Sequence, residues 1–450
     1  MNEFDVIIIG GGPTGSSLAT FLTREGVNVL VLEKEKFPRE HVGESMLPYC
    51  YSLFDELGVL DEMKRRFSRK PGVTFSNPDG AKSSHWCFDK MLDGPESISF
   101  HARRAHFDEM MLNNSRKEGA EAWEEMQVVE ADLQAPGGGV LVKAKHPEKG
   151  MLDIRAKFLV DASGQDCFLA KKLGIQKKFE SLNVRLALSS HWENVHLTPS
   201  LANGNITIVH FGGKKLGWIW LIPLNDNRLS VGLAINMDYA QEQRQILMKE
   251  HGARKWQEAF YLQELSESPL VSSIIKDASM CWDVVSNGDF SYYASEKYGP
   301  THAIVGDAAA FLDPIFSSGI YLGLKSAKVI TPGIVQAIRE GNLAGLQSGY
   351  ELMENGYKVV EDLITAFYEP SAIHFPELAG SDGIGHEQLE AIYSVYHLLL
   401  AGDFFNQSER YRKAIASLRS ANMIEKFRNL KDHSKEADLI QLCAVNAAMA

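Results

Sequence analysis

The chain has 450 residues, 45% of them hydrophobic and 23% charged, and a formal net charge of −12. That length excludes one simple core and implies two or three structural parts, while the acidic balance, with no basic block against it, excludes a general binder of nucleic-acid backbones. Its five cysteines, Cys50, Cys87, Cys167, Cys281 and Cys443, are odd in number, scattered and never in a CxxC arrangement; this fits packing residues in a reducing compartment and neither a zinc site nor a disulfide framework.

In chain order, Phe4–Ile9 reads as a buried parallel strand, followed by Gly10-Gly11-Gly12-Pro13-Thr14-Gly15 and a helix from about Ser16 to Glu25. A second apolar run, Val29–Leu32, ends at Glu33. These parts make a dinucleotide site. Gly10 allows the tight turn, Gly12 lets a pyrophosphate approach the main chain, and Gly15 lets the helix lie close to the sheet. The phosphates are expected on the helix's free N–H groups, with Glu33 accepting from a ribose diol. The polar, turn-rich segment Lys36–Pro48 is expected to lie over the cofactor, ahead of a helix at Tyr49–Leu57. Arg104–Lys117 reads as an amphipathic helix, and Gly137–Gly139 as a hairpin turn without a phosphate role.

Phe158–Asp161 is a further strand running into a small-residue turn. Four short runs follow, Val184–His191, Ile206–Phe211, Trp218–Ile222 and Leu229–Ile235, separated by turn clusters, so an antiparallel sheet is expected over the nucleotide unit. Thr301–Asp307 returns as a strand, placing Asp307 at a strand's C-terminal end where α/β sheets bind ligands; helix follows from Gly319. Residues 345–450 read as mostly helical. His101 with His106, and His191 with His196, lack the spacing of metal ligands and read as surface or pocket residues. No secretion signal precedes Phe4, and no apolar stretch reaches the roughly 20 residues that span a bilayer. The expected location is the cytoplasm.

Over about residues 1–345 these motifs resemble the two-domain FAD-dependent oxidoreductases of the aromatic-hydroxylase type, and more closely their flavin-dependent halogenase branch. The resemblance implies an α/β fold, with a doubly wound, Rossmann-like FAD domain from residues 1–183 and 276–344. It also implies an antiparallel-sheet substrate domain at 184–275, joined by residues 70–103, and a helical region at 345–450. Gly10, Gly12, Pro13, Thr14, Gly15, Glu33, Lys34, Arg39, Glu44, Ser45, Arg104, Val128, Asp161, Gly306, Asp307, Pro314 and Gly319 are the implied FAD contacts. Asp161–Gly164 is similar to the DASG form of the halogenase branch, and Gly306-Asp307 to the superfamily's GD pair.

Trp218–Pro223 fits the halogenase pattern WxWxIP and Phe311–Gly319 fits FxxPxxSxG. By resemblance, Trp218 and Trp220 crowd the flavin edge and block direct attack on an organic substrate. A halide rests on backbone N–H groups near Ser318 and Gly319, and reduced flavin with oxygen, through a flavin hydroperoxide, converts it to hypohalous acid. Lys70, in a KxGxxF-like context, then carries the halogen to an electron-rich arene; read by its own neighbours, Lys64–Lys70 is a basic run that suits a solvated face. The implied substrate is a small aromatic molecule or one tethered to a carrier or another protein. Reducing equivalents come from a separate flavin reductase or from NAD(P)H. Phe316 stands where tryptophan halogenases of this type carry a glutamate, which argues against free tryptophan. Two other enzyme readings share much of this pattern: an FAD monooxygenase hydroxylating an arene, and a saturase or dehydrogenase of the geranylgeranyl-reductase type.

Overall fold

The computed structural model describes residues 3–225, 227–288, 291–372, 375, 387–422, 424, 425 and 443. Its first sheet is built on Glu3–Ile9, whose interior side chains Val6 to Ile8 are fully buried. Val29–Leu32 and Gly150–Asp161 flank it in parallel, with Ile9 level with both Leu32 and Asp161. His302–Ile304 and Glu121–Trp123 extend the parallel sheet on either side. Continuous apolar runs make sense here because both faces are covered: Val6, Ile8, Val29 and Val31 pack on helix residues such as Leu18, Leu22 and Ile330, while Ile7, Ile9, Leu30 and Leu32 pack on Val128, Val140, Val142 and Ala144 of strand segments. The level strand ends bring the Gly10 turn, Glu33, Ala162 and the Gly306 turn to one edge, the carboxyl end where a doubly wound sheet binds its ligand.

The first helix runs Pro13–Arg24, three residues earlier than its apolar periodicity suggests, because Pro13 already supplies a helical φ in the first turn. Arg104–Lys117 matches its predicted span. Gln127–Asp132 and Val140–His146 form the hairpin around the Gly137–Gly139 turn, and Val140–His146 pairs in turn with Gly150–Asp161.

The four short runs become Arg185–Glu193, Ile206–Phe211, Gly217–Pro223 and Arg228–Asn236, joined by antiparallel ladders. The sheet is not wholly antiparallel. Gly72–Ser76 joins it parallel to Ile206–Phe211, and Ser83–Cys87 continues it antiparallel, so residues 72–87 build part of the second sheet although they lie far along the chain from its other strands. Helices Met237–His251, Trp256–Ser266 and Pro269–Ile275 follow the last of the four strands, and residues from the latter two, Phe260, Tyr261, Val271 and Ile274, are buried in the apolar cluster on one face of that sheet. On the other face Trp218, Trp220, Phe75 and Ile208 share a core with Leu363, Phe367, Tyr368, Phe375, Leu399 and Leu400 from the C-terminal helical region. The long helix Ala344–Tyr368 and the later Glu387–Ala401 and Ser408–Leu418 make up that region among the described residues, while Ser318–Glu340 before them packs on the first sheet.

One expectation is corrected. Cys87 and Cys443 form a disulfide, so two of the five cysteines are not merely packing residues. The signal was invisible in sequence because 356 positions separate the pair and only the fold brings Cys443 against Gly72 and Ser83–Cys87. Cys50 and Cys167 are buried free thiols and Cys281 is a half-buried one. No helix among the described residues is long and apolar enough to cross a membrane.

Candidate active site

One large cavity, about 860 Å³, runs from the Gly10 turn to the second sheet. At its nucleotide end the three glycines do three different things. Gly10 adopts φ +100°, and a Cβ there would lie 2.4 Å from the Ala162 carbonyl oxygen. A Cβ on Gly15 would lie 2.0 Å from the Gly10 carbonyl oxygen, so this residue fixes how closely helix and turn pack. Gly12 is different: its Cβ position is open, with only an Arg39 guanidinium nitrogen 3.9 Å away, and it faces the cavity. No side chain caps the helix that begins beside it. Uncapped N–H groups under an open glycine are what a diphosphate requires.

Glu33 lines the same end and is 5% exposed. Burial raises its carboxyl above the usual range, although Oε2 accepts from Gly11 N–H at 2.7 Å and Oε1 from Glu35 N–H at 2.8 Å. Lys34 forms an exposed ion pair with Asp166 at 2.5 Å, and both line the cavity. Arg39 and Arg104 converge on buried Asp108: Arg39 Nη1 donates at 2.6 Å, and Arg104 donates through Nε at 2.7 Å and Nη2 at 2.9 Å. Burial alone would raise the Asp108 carboxyl, but Arg104 overrides it and holds it below its ordinary value. Arg104 Nη1 also reaches the Val42 carbonyl at 2.8 Å, tying the loop before Pro48 over the cavity, as its composition suggested.

Pro13, Thr14, Ser45, Val128 and Pro314 also line the cavity. Gly306 and Asp161 do not. Gly306, at φ +59°, lies so close to Thr14 that a Cβ would meet its hydroxyl at 2.6 Å. Asp161 is fully buried, and its carboxylate accepts from Ser163 N–H at 2.9 Å and Leu169 N–H at 2.6 Å, so in this structure it shapes the turn Ala162–Gly164 that does line the cavity. Asp307 faces the cavity, and burial pushes its carboxyl up to about 6 against the pull of Arg104.

At the far end Trp218 and Trp220 form a wall, their rings 5.4 Å apart. Their shared i, i+2 face follows from strand geometry. Gly232 on the neighbouring strand makes room for Trp220; a Cβ there would sit 2.1 Å from the indole ring. The helix Ser318–Glu340 begins at the same cavity. Ser317 takes a left-handed φ of +54° just before it, no side chain caps it, and Ser317 and Gly319 line the cavity while Ser318 is buried beneath.

The match to known proteins decides between the enzyme readings. The FAD-binding-domain family matches residues 3–352. The tryptophan 2-halogenase of Chondromyces crocatus is 32% identical over 391 residues, covering 85% of this chain and 71% of that protein. The chain belongs to the flavin-dependent halogenase family. A 1H-pyrrole-2-carbonyl-(peptidyl-carrier protein) chlorinase of Pseudomonas fluorescens is 29% identical, over 82% of this chain and 84% of that one. Among solved structures, the flavin-dependent brominase Bmp2 superposes with a TM-score of 0.76 at 28% identity, covering 95% of this chain and 100% of that one. The myxobacterial chondrochloren halogenase CndH gives 0.72 at 28%, covering 96% and 97%. The protein is thus an FAD-dependent halogenase, and its open Gly12 cradle, uncapped helix and Glu33 fit the cofactor.

In this halogenase Lys70 does not lie on the solvated face that its basic run suggests. It is 0% exposed, at the end of the strand Ser68–Lys70, whose other two residues stay partly exposed. Its ammonium donates to the Met46 carbonyl at 2.9 Å, and burial lowers it to about 7. It lines a second cavity of about 10 Å³, whose walls Ile206, Ile208, Ile315 and Ser317 also line the large one. Lys70 and the tryptophans therefore stand on either side of one thin partition.

The sequence reading missed the partner of Glu44. Its Oε1 lies 2.6 Å from His191 Nε2, both groups being 1% exposed, and Trp282 packs on the imidazole with ring centroids 4.8 Å apart. The i, i+2 phase of the Arg185–Glu193 strand could have put His191 on the face of the cavity-lining Ala187 and Ser189, but nothing in the sequence linked it to Glu44.

Proposed function

We propose that this enzyme halogenates an electron-rich arene of the phenol or pyrrole class, presented free or tethered to a carrier protein, with Lys70 as the group that accepts and delivers the halogen. The single observation that carries this reading is the position of Lys70: fully buried, with an amine that burial brings to about 7, in a small cavity sharing four wall residues with the cofactor cavity. An amine near neutrality is available as a nucleophile, which a solvated lysine is not.

Bound FAD, once reduced, supplies with dioxygen the oxidising power that converts halide to hypohalous acid. The protein's tasks are to place, shield and pass on. Backbone N–H groups at Ser318 and Gly319, at the start of the 23-residue helix, would hold the halide as fixed donors without counter-charge. Trp218 and Trp220 fill the space an arene would need to reach that end. The halogen then crosses the partition to Lys70.

The substrate class is supported by the residues around Lys70. Leu47, Val73, Phe75, Ile206, Ile315, Phe316 and Leu400 line its cavity, with no carboxylate among the described lining residues. An arene activated by its own hydroxyl or ring nitrogen needs no such base. The division of the chain into an FAD unit and a substrate unit is supported by the two sheets, with residues 72–87 belonging to the latter. We assign the electron supply to a separate flavin reductase or to NAD(P)H.

Mass spectrometry of phenol and pyrrole carboxylates, free and as carrier-protein thioesters, incubated with enzyme, FAD, a reductase, oxygen and bromide tests the reading. A bromine isotope doublet on product that vanishes in Lys70→Met is expected; products gaining oxygen alone would overturn it.

A further inference from the structure

Lys70 stands at the end of a buried polar face that the steps above leave unused. The strand Ser68–Lys70 pairs antiparallel with Ser99–His101, setting Lys70 opposite Ser99 and Ser68 opposite His101. Ser45 stands opposite His101 in a further antiparallel bridge. Bonds from Met46 N–H to the Phe100 carbonyl and from Ala102 N–H to the Glu44 carbonyl flank that pair, which makes it the closer, non-hydrogen-bonded kind. Opposite residues in such ladders share a face, so Ser45, His101, Ser99 and Lys70 lie together. None is more than 6% exposed.

Three atoms on this face, Ser45 Oγ, Ser99 Oγ and His101 Nδ1, have no hydrogen-bond partner among the described residues. Buried polar atoms in that condition normally hold water or a ligand. Here they are contiguous and end at an ammonium that uses one donor of three, on Met46. His101 Nε2 lies 2.9 Å from the Gly204 carbonyl, which only accepts, so Nε2 carries the hydrogen and Nδ1 is a lone-pair acceptor. Burial pushes the imidazole down to about 3, which keeps it neutral; Cys50, the other titratable group beside Lys70, is a buried thiol raised to about 12. Ser45 also lines the large cavity, so one end of the ladder lies on the cofactor side and the other end is Lys70.

We propose that Ser45, Ser99 and His101 form a hand-over site that holds one small neutral O–H molecule beside Lys70, hypohalous acid in turnover and water at rest. This rests on the reading of Lys70 as halogen acceptor. Two hydroxyls and a neutral acceptor suit such a molecule better than a halide ion, which needs donors alone. His101 Nδ1 accepts the O–H of the acid and turns its halogen toward the amine. The amine lone pair forms the N–halogen bond while the O–halogen bond breaks and its electron pair stays on oxygen. One N–H proton joins that hydroxide, so amine and hypohalous acid give haloamine and water with no further reagent. His101 and the serines are unchanged by the step.

The test turns the holoenzyme over with bromide, reductase and oxygen but without arene, then desalts it. Protein-bound active bromine is titrated with a chromogenic thiol, and escaped hypobromous acid is caught by a soluble phenol. His101→Gln keeps an N–H for the Gly204 carbonyl and deletes Nδ1; Ser99→Ala removes only the unpartnered hydroxyl. Both are expected to carry about tenfold less bound bromine than wild type, with oxygen uptake unchanged and the missing bromine in the scavenger. Bound bromine at the wild-type level in Ser99→Ala overturns the proposal, even where His101→Gln does not fold. In the FAD-free chain, Ser99→Ala should lower the melting temperature if the hydroxyl holds a water; a rise marks a plain orphan and overturns it too. Equal bound bromine in wild type and Lys70→Met would instead overturn the role of Lys70 itself.

Discussion

The indole N–H of Trp218 donates to the Tyr368 hydroxyl at 2.7 Å, and that hydroxyl donates to Asp313 at 2.8 Å. Arg185 closes the group, its guanidinium 3.4 Å above the Tyr368 ring centre and its Nε 3.3 Å from Asp313. The tryptophan wall is thereby fixed to the FxxPxxSxG segment through a residue of the C-terminal helix Ala344–Tyr368, which neither motif contains. Tyr368→Phe leaves the buried Trp218 N–H without its acceptor and takes one donor from Asp313, which keeps Ile315 N–H and Arg185, a loss of about 1–3 kcal/mol. Thermal melts should show a lower midpoint and near-ultraviolet circular dichroism a changed indole signal. An unchanged melt would show that the bond does not form.

Gly12 and Gly15 separate cofactor binding from folding. Gly15→Ala drives a methyl into backbone at 2.0 Å and should cost about 3 kcal/mol or more in stability, whether FAD is present or absent. Gly12→Ala meets nothing in the protein within 3.5 Å, so the FAD-free chain should melt at the wild-type temperature while FAD affinity falls by about tenfold or more. Fluorescence titration of FAD into both variants checks this; normal FAD binding by Gly12→Ala would remove the diphosphate from that position.

Gly232→Ala tests the opposite end. The added methyl would lie 2.1 Å from the Trp220 ring, inside a sheet that cannot shift, so the indole must leave its place beside Trp218. Overpacking of this kind costs about 1–3 kcal/mol. Halogenation should fall while FAD remains bound, since the Gly10 turn and Glu33 belong to another sheet and the displaced Trp220 lines only the far end of their cavity. Variant and wild type with identical indole spectra would show that the contact is not made.

The differences between sequence reading and structure have a common physical origin. Short-range periodicity marked Phe4–Ile9, Arg104–Lys117 and the four strands from Arg185 to Asn236, because alternation and continuous apolar runs are local properties. Partners distant in sequence were not legible: the parallel pairing of Gly72–Ser76 with Ile206–Phe211, His191 with Glu44, Tyr368 with Trp218, and Cys87 with Cys443. Lys70 shows how a local signal misleads. Its basic neighbours suggest solvent, yet a three-residue strand is enough to reverse that, because its pairing with Ser99–His101 decides which side chain turns in.

Lys70 also makes stability depend on pH in a direction opposite to that of a salt-bridged lysine. Burial lowers its ammonium from 10.5 to about 7. Below about 7 folded and unfolded chains both carry the charge, and the folded chain bears its full desolvation cost. Between 7 and 10.5 the unfolded chain binds a proton that the folded chain does not, so this contribution to stability rises with pH across the window. Above 10.5 both are neutral and the cost is gone. Lys70→Met, similar in length and uncharged, should therefore be more stable than wild type near pH 6, by up to about 5 kcal/mol at 1.36 kcal/mol per pH unit. The advantage should shrink steadily toward pH 10. Urea unfolding of both proteins across that range measures it directly. A stability difference independent of pH would mean that the amine is solvated in the folded chain, and Lys70 would then lack the low-dielectric setting that makes it a nucleophile near neutrality.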